Sequence, residues 1–334
     1  MKLKNIPENY ETSVLEDVDK FLGKSEMIKS ERRFLNGIIR EIKPKKLLEI
    51  GIAAGGSSVV MLNAIRDIEN SQLCSIDYNT QYYRDSKLKS GYLVEKTIPH
   101  LKFKWKLYTG GVSAKFIEEI AEIGTIDLCL IDTTHHMPGE LLDILTVLPF
   151  MKKEGIIIIH DTNYNYYNPH GISCNVAFSV IKANKTQPLD YDKNYAPLAN
   201  IGAFKINEDT FRYIDDFFFA LSLNWKYIPN KEDMNYFKKL FQKYYSKENM
   251  KKLNAIYDMN KKQINIKNPI EDELNSKIKE NLKLKNTIEK DKIEIENLER
   301  KNNNTNKKLK LIKNRKVVKY TDKLIKIRKK CFNL

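Results

Sequence analysis

Apolar positions follow two rhythms between Ser25 and Ile206. Leu47, Leu48 and Ile50, then Ile126 to Ile131, then Ile156 to Ile159, are short and nearly unbroken apolar runs. Such runs predict strands buried on both faces. Between them the apolar residues recur at helical spacing. Phe34, Leu35, Ile38, Ile39 and Ile42 predict an amphipathic helix over Ser25–Ile42, closed by Pro44. Leu141, Leu142, Ile144, Leu145 and Leu148 predict another from about Gly139 to Met151, and Gly110-Gly111 leads into one near Ser113. Gln72–Asp77 and Gly155–Asp161 read as strands, Lys102–Tyr108 as an outer strand, and Ile201–Ile206 as a late one. The aromatic-rich stretch from Phe211 to Tyr245 predicts terminal helices. Strands alternating with helices predict an α/β fold: a doubly wound, mostly parallel, Rossmann-like sheet.

The rhythm changes after about Asn268, where Lys, Asn, Glu and Ile dominate. The expected division is a domain at 1–268 and a basic helical or coiled-coil tail at 269–334. A heptad register places Leu274, Ile288, Ile295 and Leu309 at a, and Ile270, Leu284, Leu298 and Ile312 at d. Asn281 and Asn302 fill other a positions, while Lys277, Asp291 and Thr305 weaken the d seam. A disordered basic tail is the competing reading.

Charge sharpens this division. The 334 residues carry a net +15, yet the stretch from Lys301 onward, with thirteen Lys or Arg and one acid, holds +12 of it. The rest of the chain is near neutral, which argues against nucleic acid as its partner. The tail is where an anionic membrane surface, or a second copy of the chain, would be met. No apolar run reaches the length of a membrane span, and Met1–Tyr10 lacks a signal-peptide core. Cys74, Cys129, Cys174 and Cys331 show no metal-binding spacing. A cytoplasmic location, peripheral at a membrane through the tail, is the expectation.

The stretch Leu47-Leu48-Glu49-Ile50-Gly51 breaks into Ile52-Ala53-Ala54-Gly55-Gly56-Ser57-Ser58, a strand, a glycine turn and a helix start with Ser57 or Ser58 expected near its N-cap. A helix N-terminus at the carboxyl edge of a sheet forms a nucleotide-type pocket. The spacing is neither the G-x-G-x-x-G of dinucleotide sites nor a P-loop. Asp77 ends the next strand, where an acid accepts ribose hydroxyls. A ribose acceptor without provision for pyrophosphate suits S-adenosylmethionine. L-E-I-G-x-x-x-G with this downstream Asp resembles motif I of the class I S-adenosylmethionine-dependent methyltransferases. The resemblance implies a cofactor site formed by Glu49, Gly51, Gly55, Ser57, Asp77 and Asp132.

Asp132, His135, His160 and Asp161 fall at or just beyond strand ends, where open parallel sheets carry their chemistry. Two adjacent carboxylates repel, and a divalent cation, Mg²⁺ or Mn²⁺, relieves this. Asp132-Thr133-Thr134-His135, then Asp143, Gly155 and His160-Asp161, resemble the D-G-x-H…D…G…H-D signature of the sugar O-methyltransferases acting on macrolides. The resemblance covers about Glu26 to Ile206 and extends to cephalosporin hydroxylase-like proteins. Here Thr133 replaces the signature's glycine, and His160 stands where the distant catechol O-methyltransferases, which share the metal layout, carry an acid. The resemblance implies His135 as general base, with Asp132, His160 and Asp161 as metal ligands. It further implies methyl transfer to a hydroxyl of a sugar or small glycoside. His136 is the alternative base; His170, Tyr164, Tyr166 and Tyr167 are candidates to stack on a sugar, and Asp143 reads as structural. A non-catalytic scaffold of the same fold and a metal-dependent hydroxylase-like enzyme are the other readings.

Overall fold

The computed structural model describes residues 26–188 and 198–331. Two compact units result, 1–264 and 265–334.

In the first unit the elements follow one another as α1 (Lys29–Ile42), β1 (Lys46–Ile50), α2 (Gly56–Ala64), β2 (Gln72–Asp77), β3 (Gln81–Tyr82), β4 (Asp85–Lys89), α3 (Tyr92–Thr97) and β5 (Trp105–Thr109). Then come α4 (Ser113–Ile120), β6 (Ile126–Ile131), α5 (Gly139–Val147), β7 (Met151–His160), α6 (Ser173–Val180), β8 (Asn184–Thr186) and β9 (Ile201–Lys205). Short helices α7 (Glu208–Arg212) and α8 (Ile214–Ala220), then α9 (Lys231–Tyr244), lead into α10 (Lys247–Lys313), followed by α11 (Lys316–Cys331).

The seven-stranded sheet has the order β5-β2-β1-β6-β7-β9-β8. Its first five strands run parallel, and β9 is antiparallel to both β7 and β8. Alternation along each strand divides the core between the two faces. Leu48, Cys74, Cys129 and Ile157 point into a layer under α4, α5, α8 and α9. Leu47, Leu73, Leu128 and Ile158 point into the layer under α1 and α2. This is why the strands read as continuous apolar runs: both sides are covered. The register pairs Ile50 with Ile76 and with Ile131, and Ile131 with Ile159. Gly51, Asp77, Asp132 and His160 therefore reach one edge together.

The expected fold class is observed, with local differences. α1 begins at Lys29, and Ser25 lies outside the described residues. Residues 99–104 wind into a 3₁₀ turn opened by Pro99, so the alternating Lys102–Lys104 stretch precedes β5 instead of belonging to it. α5 stops at Val147 and tightens into a 3₁₀ turn, because Pro149 cannot supply a helical N–H. β7 begins at Met151, with Glu154 in the left-handed region and a register shift against β6.

In the second unit the described seam residues Leu284, Ile288, Ile295, Leu298 and Ile312 of α10 are each more than half exposed, and Leu309 is 49% exposed. α10 ends at Lys313 and α11 starts at Lys316. Among the described residues no helix is long and apolar enough to cross a membrane.

Candidate functional site

The turn after β1 is held by geometry that only glycine permits. Gly51 has φ +88, and a Cβ there would lie 1.8 Å from the Asp132 carbonyl oxygen. Gly55, at φ +94, caps α2 and packs on Gly91. The expectation that Ser57 or Ser58 would cap α2 is corrected: their hydroxyls, with that of Ser75, donate to Glu49 at 2.5–2.6 Å. Glu49 is fully buried. Burial pushes its carboxyl up to about 7, against the lowering effect of the three hydroxyls. Neither Glu49 nor Gly55 lines the cavity described below; Gly51 and Ser57 do. The first two shape the turn from behind.

Asp77 lines the cavity, yet most of its carboxylate is already engaged. Oδ2 accepts the N–H groups of Ile52 and Ala53 at 3.0 and 2.9 Å, and Oδ1 that of Asn79 at 2.8 Å. A carboxylate has about four acceptor positions, so one remains on Oδ1 for a ligand hydroxyl. Asp77 thus ties β2 to the glycine turn as well as facing the cavity.

One cavity of about 1140 Å³ runs from this turn to the ends of β6 and β7, lined at the far end by Asp132, His135, His160 and Asp161. The topology brings all four together. His135 Nε2 lies 3.1 Å from Asp161 Oδ2. His135 Nδ1 faces the Glu140 carboxylate and Cys174 Sγ, each at 3.8 Å. Tyr164 packs against the His135 ring at a tilt of 56°, centroids 5.1 Å apart. Both His135 and Asp161 hold left-handed backbone, φ +61 and +57, a conformation that persists only where surroundings enforce it. Glu140 does so for His135, accepting its backbone N–H at 2.6 Å. Asn200 does so for Asp161, donating to Oδ1 at 2.6 Å.

His160 stands behind this pair. Its Nδ1 is 3.3 Å from Asp132 and 3.4 Å from Asp161, and its Nε2 is 3.1 Å from Glu31. Burial favours the neutral ring, but the three carboxylates outweigh it and raise its pKa well above the usual range. Asp161 is lowered: burial opposes this, and the charge and hydrogen bond of His160, with His135 and the Asn200 amide beside it, overcome it. With both nitrogens facing acids, His160 is not placed as a ligand. Among the described residues, donor atoms converge within 4.8 Å in two sets, His135 with Glu140 and Cys174, and Asp132 with His135 and Asp161. These two carboxylates and an imidazole suit a divalent cation.

The remaining candidates separate. His136 lines the cavity, but its ring nitrogens are engaged, Nδ1 2.5 Å from the Thr134 carbonyl and Nε2 3.3 Å from Asn168. Tyr164 lines the cavity; Tyr166, Tyr167 and His170 do not. Asp143 is buried, takes the Ser113 and Thr133 hydroxyls, and is pushed by burial to about 7. Four supporting residues are not evident from the sequence pattern: Glu31, Glu140, Cys174 and Asn200. Glu31 and Glu140 carry a signal, since each sits at helical spacing with the apolar stripe of its helix. Asn200 carries none, because only the β7–β9 pairing brings it to Asp161.

Residues 48–162 match the family described as "Methyltransferase domain". The comparison with curated proteins returns no match. Similar solved structures include the O-methyltransferase TomG from Streptomyces achromogenes, involved in tomaymycin synthesis, in complex with SAM. It is 12% identical over 60% of this chain and 91% of that one, with TM-score 0.42. An O-methyltransferase from Bacillus cereus in complex with SAH is 14% identical over 59% and 92%, TM-score 0.43. The SAH-bound methyltransferase PaMTH1 from Podospora anserina is 15% identical over 59% and 88%, TM-score 0.43. At identities and TM-scores this low, none of these likenesses bears on this chain's activity. The family match falls on the strand–turn–helix at Gly51 and the parallel strands beside it, so this segment of the chain is similar to a methyltransferase domain.

Proposed function

We propose that the chain transfers a methyl group from S-adenosylmethionine to a hydroxyl oxygen of a sugar or small glycoside, with His135 as general base. The observation that carries this reading is the single cavity linking the Gly51–Asp77 turn to the His135–Asp161 pair 3.1 Å apart. The cofactor fits the turn: Gly51 leaves the backbone bare, Asp77 keeps one acceptor position for a ribose hydroxyl, and Ser57 lies in the first turn of α2. When bound, it supplies an electrophilic methyl group and leaves with the electron pair of the broken carbon–sulfur bond.

A sugar hydroxyl is a poor nucleophile near neutrality and must lose its proton as it attacks. For Nε2 to take that proton, the neutral ring carries its hydrogen on Nδ1, toward Glu140, and the hydroxyl enters between Nε2 and Asp161, whose carboxylate then stabilises the resulting cation. His160, set between Asp132 and Asp161, keeps the two acids at a common edge. Tyr164 and the cavity-lining Tyr227 and Asn230 offer the ring faces and polar groups that suit a carbohydrate. A divalent cation, Mg²⁺ or Mn²⁺, would be held by Asp132 and Asp161, leaving His135 as base; it supplies positive charge that favours loss of the hydroxyl proton.

The test is transfer of labelled methyl from S-adenosylmethionine to a panel of glycosides and catechols. The reading requires a glycoside product, lost in His135→Ala while cofactor binding persists. General-base loss predicts a fall in kcat of roughly 10²–10⁴-fold. Cofactor binding with no product on any hydroxyl would favour the scaffold reading instead.

A further inference from the structure

Helix α11 combines two stripes. Tyr320, Leu324 and Ile327 recur at intervals of four and three, and so share one face. All three are exposed, at 68%, 60% and 54%. Lys319, Lys323, Lys326 and Lys330 follow the same intervals one position earlier, forming a cationic border along that apolar face. The helix carries seven Lys or Arg and a single acid, Asp322. Asp322 is two positions from both Tyr320 and Leu324, which places it on the opposite side.

We infer that α11 docks on an anionic bilayer surface, lying in the interface with its apolar stripe in the acyl boundary and its lysines at the headgroups. The charge pattern selects this occupant. Apolar stripe and lysine border together match a surface that is negative outside and apolar beneath. Lysine stems spread along such a boundary while their ammonium groups stay hydrated. A nucleic acid would use the charge but leave Leu324 and Ile327 in water. A parallel second copy pairing along α10 is not favoured by its flanking charges. In the heptad register Glu294 would face Glu299, and Lys308 would face Lys313, against one attractive pair, Glu280 with Lys285.

Flotation of the full chain with vesicles of phosphatidylcholine, alone or mixed with phosphatidylglycerol, tests the inference. Binding is expected on the mixed vesicles only, and to weaken with salt. Combined Lys319→Glu, Lys323→Glu and Lys326→Glu should weaken it by at least about a hundredfold. Leu324→Gln with Ile327→Gln should weaken it by about tenfold or more, with S-adenosylmethionine binding retained in both variants. Equal binding to both vesicle types, or none to either, overturns the inference. So does an unchanged apolar double variant whose retention on heparin matches the parent, which marks capture by a polyanion through charge alone.

Discussion

At Glu49, burial outweighs three serine hydroxyls and lifts the carboxyl from 4.5 to about 7. An acid with a raised folded pKa contributes stability that is fully present below the unfolded value, pH 4.5, and is lost as pH rises through about 7. That loss is roughly 3 kcal/mol at about 1.4 kcal/mol per unit. Glu49→Gln should remove it: the variant should gain on the parent by roughly that amount between pH 4.5 and a pH above 7, as measured by urea unfolding. A gap that stays constant with pH would show that the serines hold Glu49 ionised. His135 and Asp161 call for a different measurement. His135→Ala should lower kcat by roughly 10²–10⁴-fold and leave cofactor affinity in place. Rigorous chelation, followed by Mg²⁺ or Mn²⁺, should abolish and restore turnover if Asp132 and Asp161 hold a cation; full activity after chelation removes the cation and leaves the base. Pattern alone puts these residues at strand ends. What it conceals is the second row: His160 reads like a ligand until Glu31 is seen on its far nitrogen.

At the scale of elements, the strands are legible because both faces of the sheet are covered, so β1, β6 and β7 are almost unbroken apolar runs. β2 and β6 fall at their expected bounds. The β3–β4 hairpin, α3, α6 and β8 are not legible. They are short, partly exposed, and lack a period long enough to show. The glycine turn reads correctly as a turn, but pattern assigns its cap to serine, because the rule that Ser caps helices ignores a buried acid in need of donors. The turn is also the most constrained element. Gly51→Ala should cost at least about 1–2 kcal/mol from the positive φ alone, and more from the contact with Asp132, and should abolish cofactor binding. Normal thermal stability with normal binding would mean the turn can open without loss.

Across the whole molecule, the distribution of charge is enough to set the tail apart, and the first unit ends at 264, part-way along α10. The early turns of α10 belong to that unit. Asn260 is buried and accepts the Trp225 N–H at 2.8 Å, while donating to Ile256. Truncation after Asn268 should therefore leave cofactor binding and turnover per site intact. Asn260→Ala should destabilise the fold by about 1–3 kcal/mol, since it strands a buried N–H. Loss of turnover on truncation, with thermal stability preserved, would give the tail a part in the chemistry.

The central claim is that the cavity between Gly51 and Asp161 receives S-adenosylmethionine through Asp77. Isothermal titration of the full chain with S-adenosylmethionine, beside NAD as a control, tests this most directly. One cofactor should bind per chain, NAD should not bind, and Asp77→Ala should weaken binding by about 1.5–3 kcal/mol, the worth of a charged hydrogen bond. No heat with S-adenosylmethionine, or affinity unchanged by Asp77→Ala in a folded variant, would contradict the account.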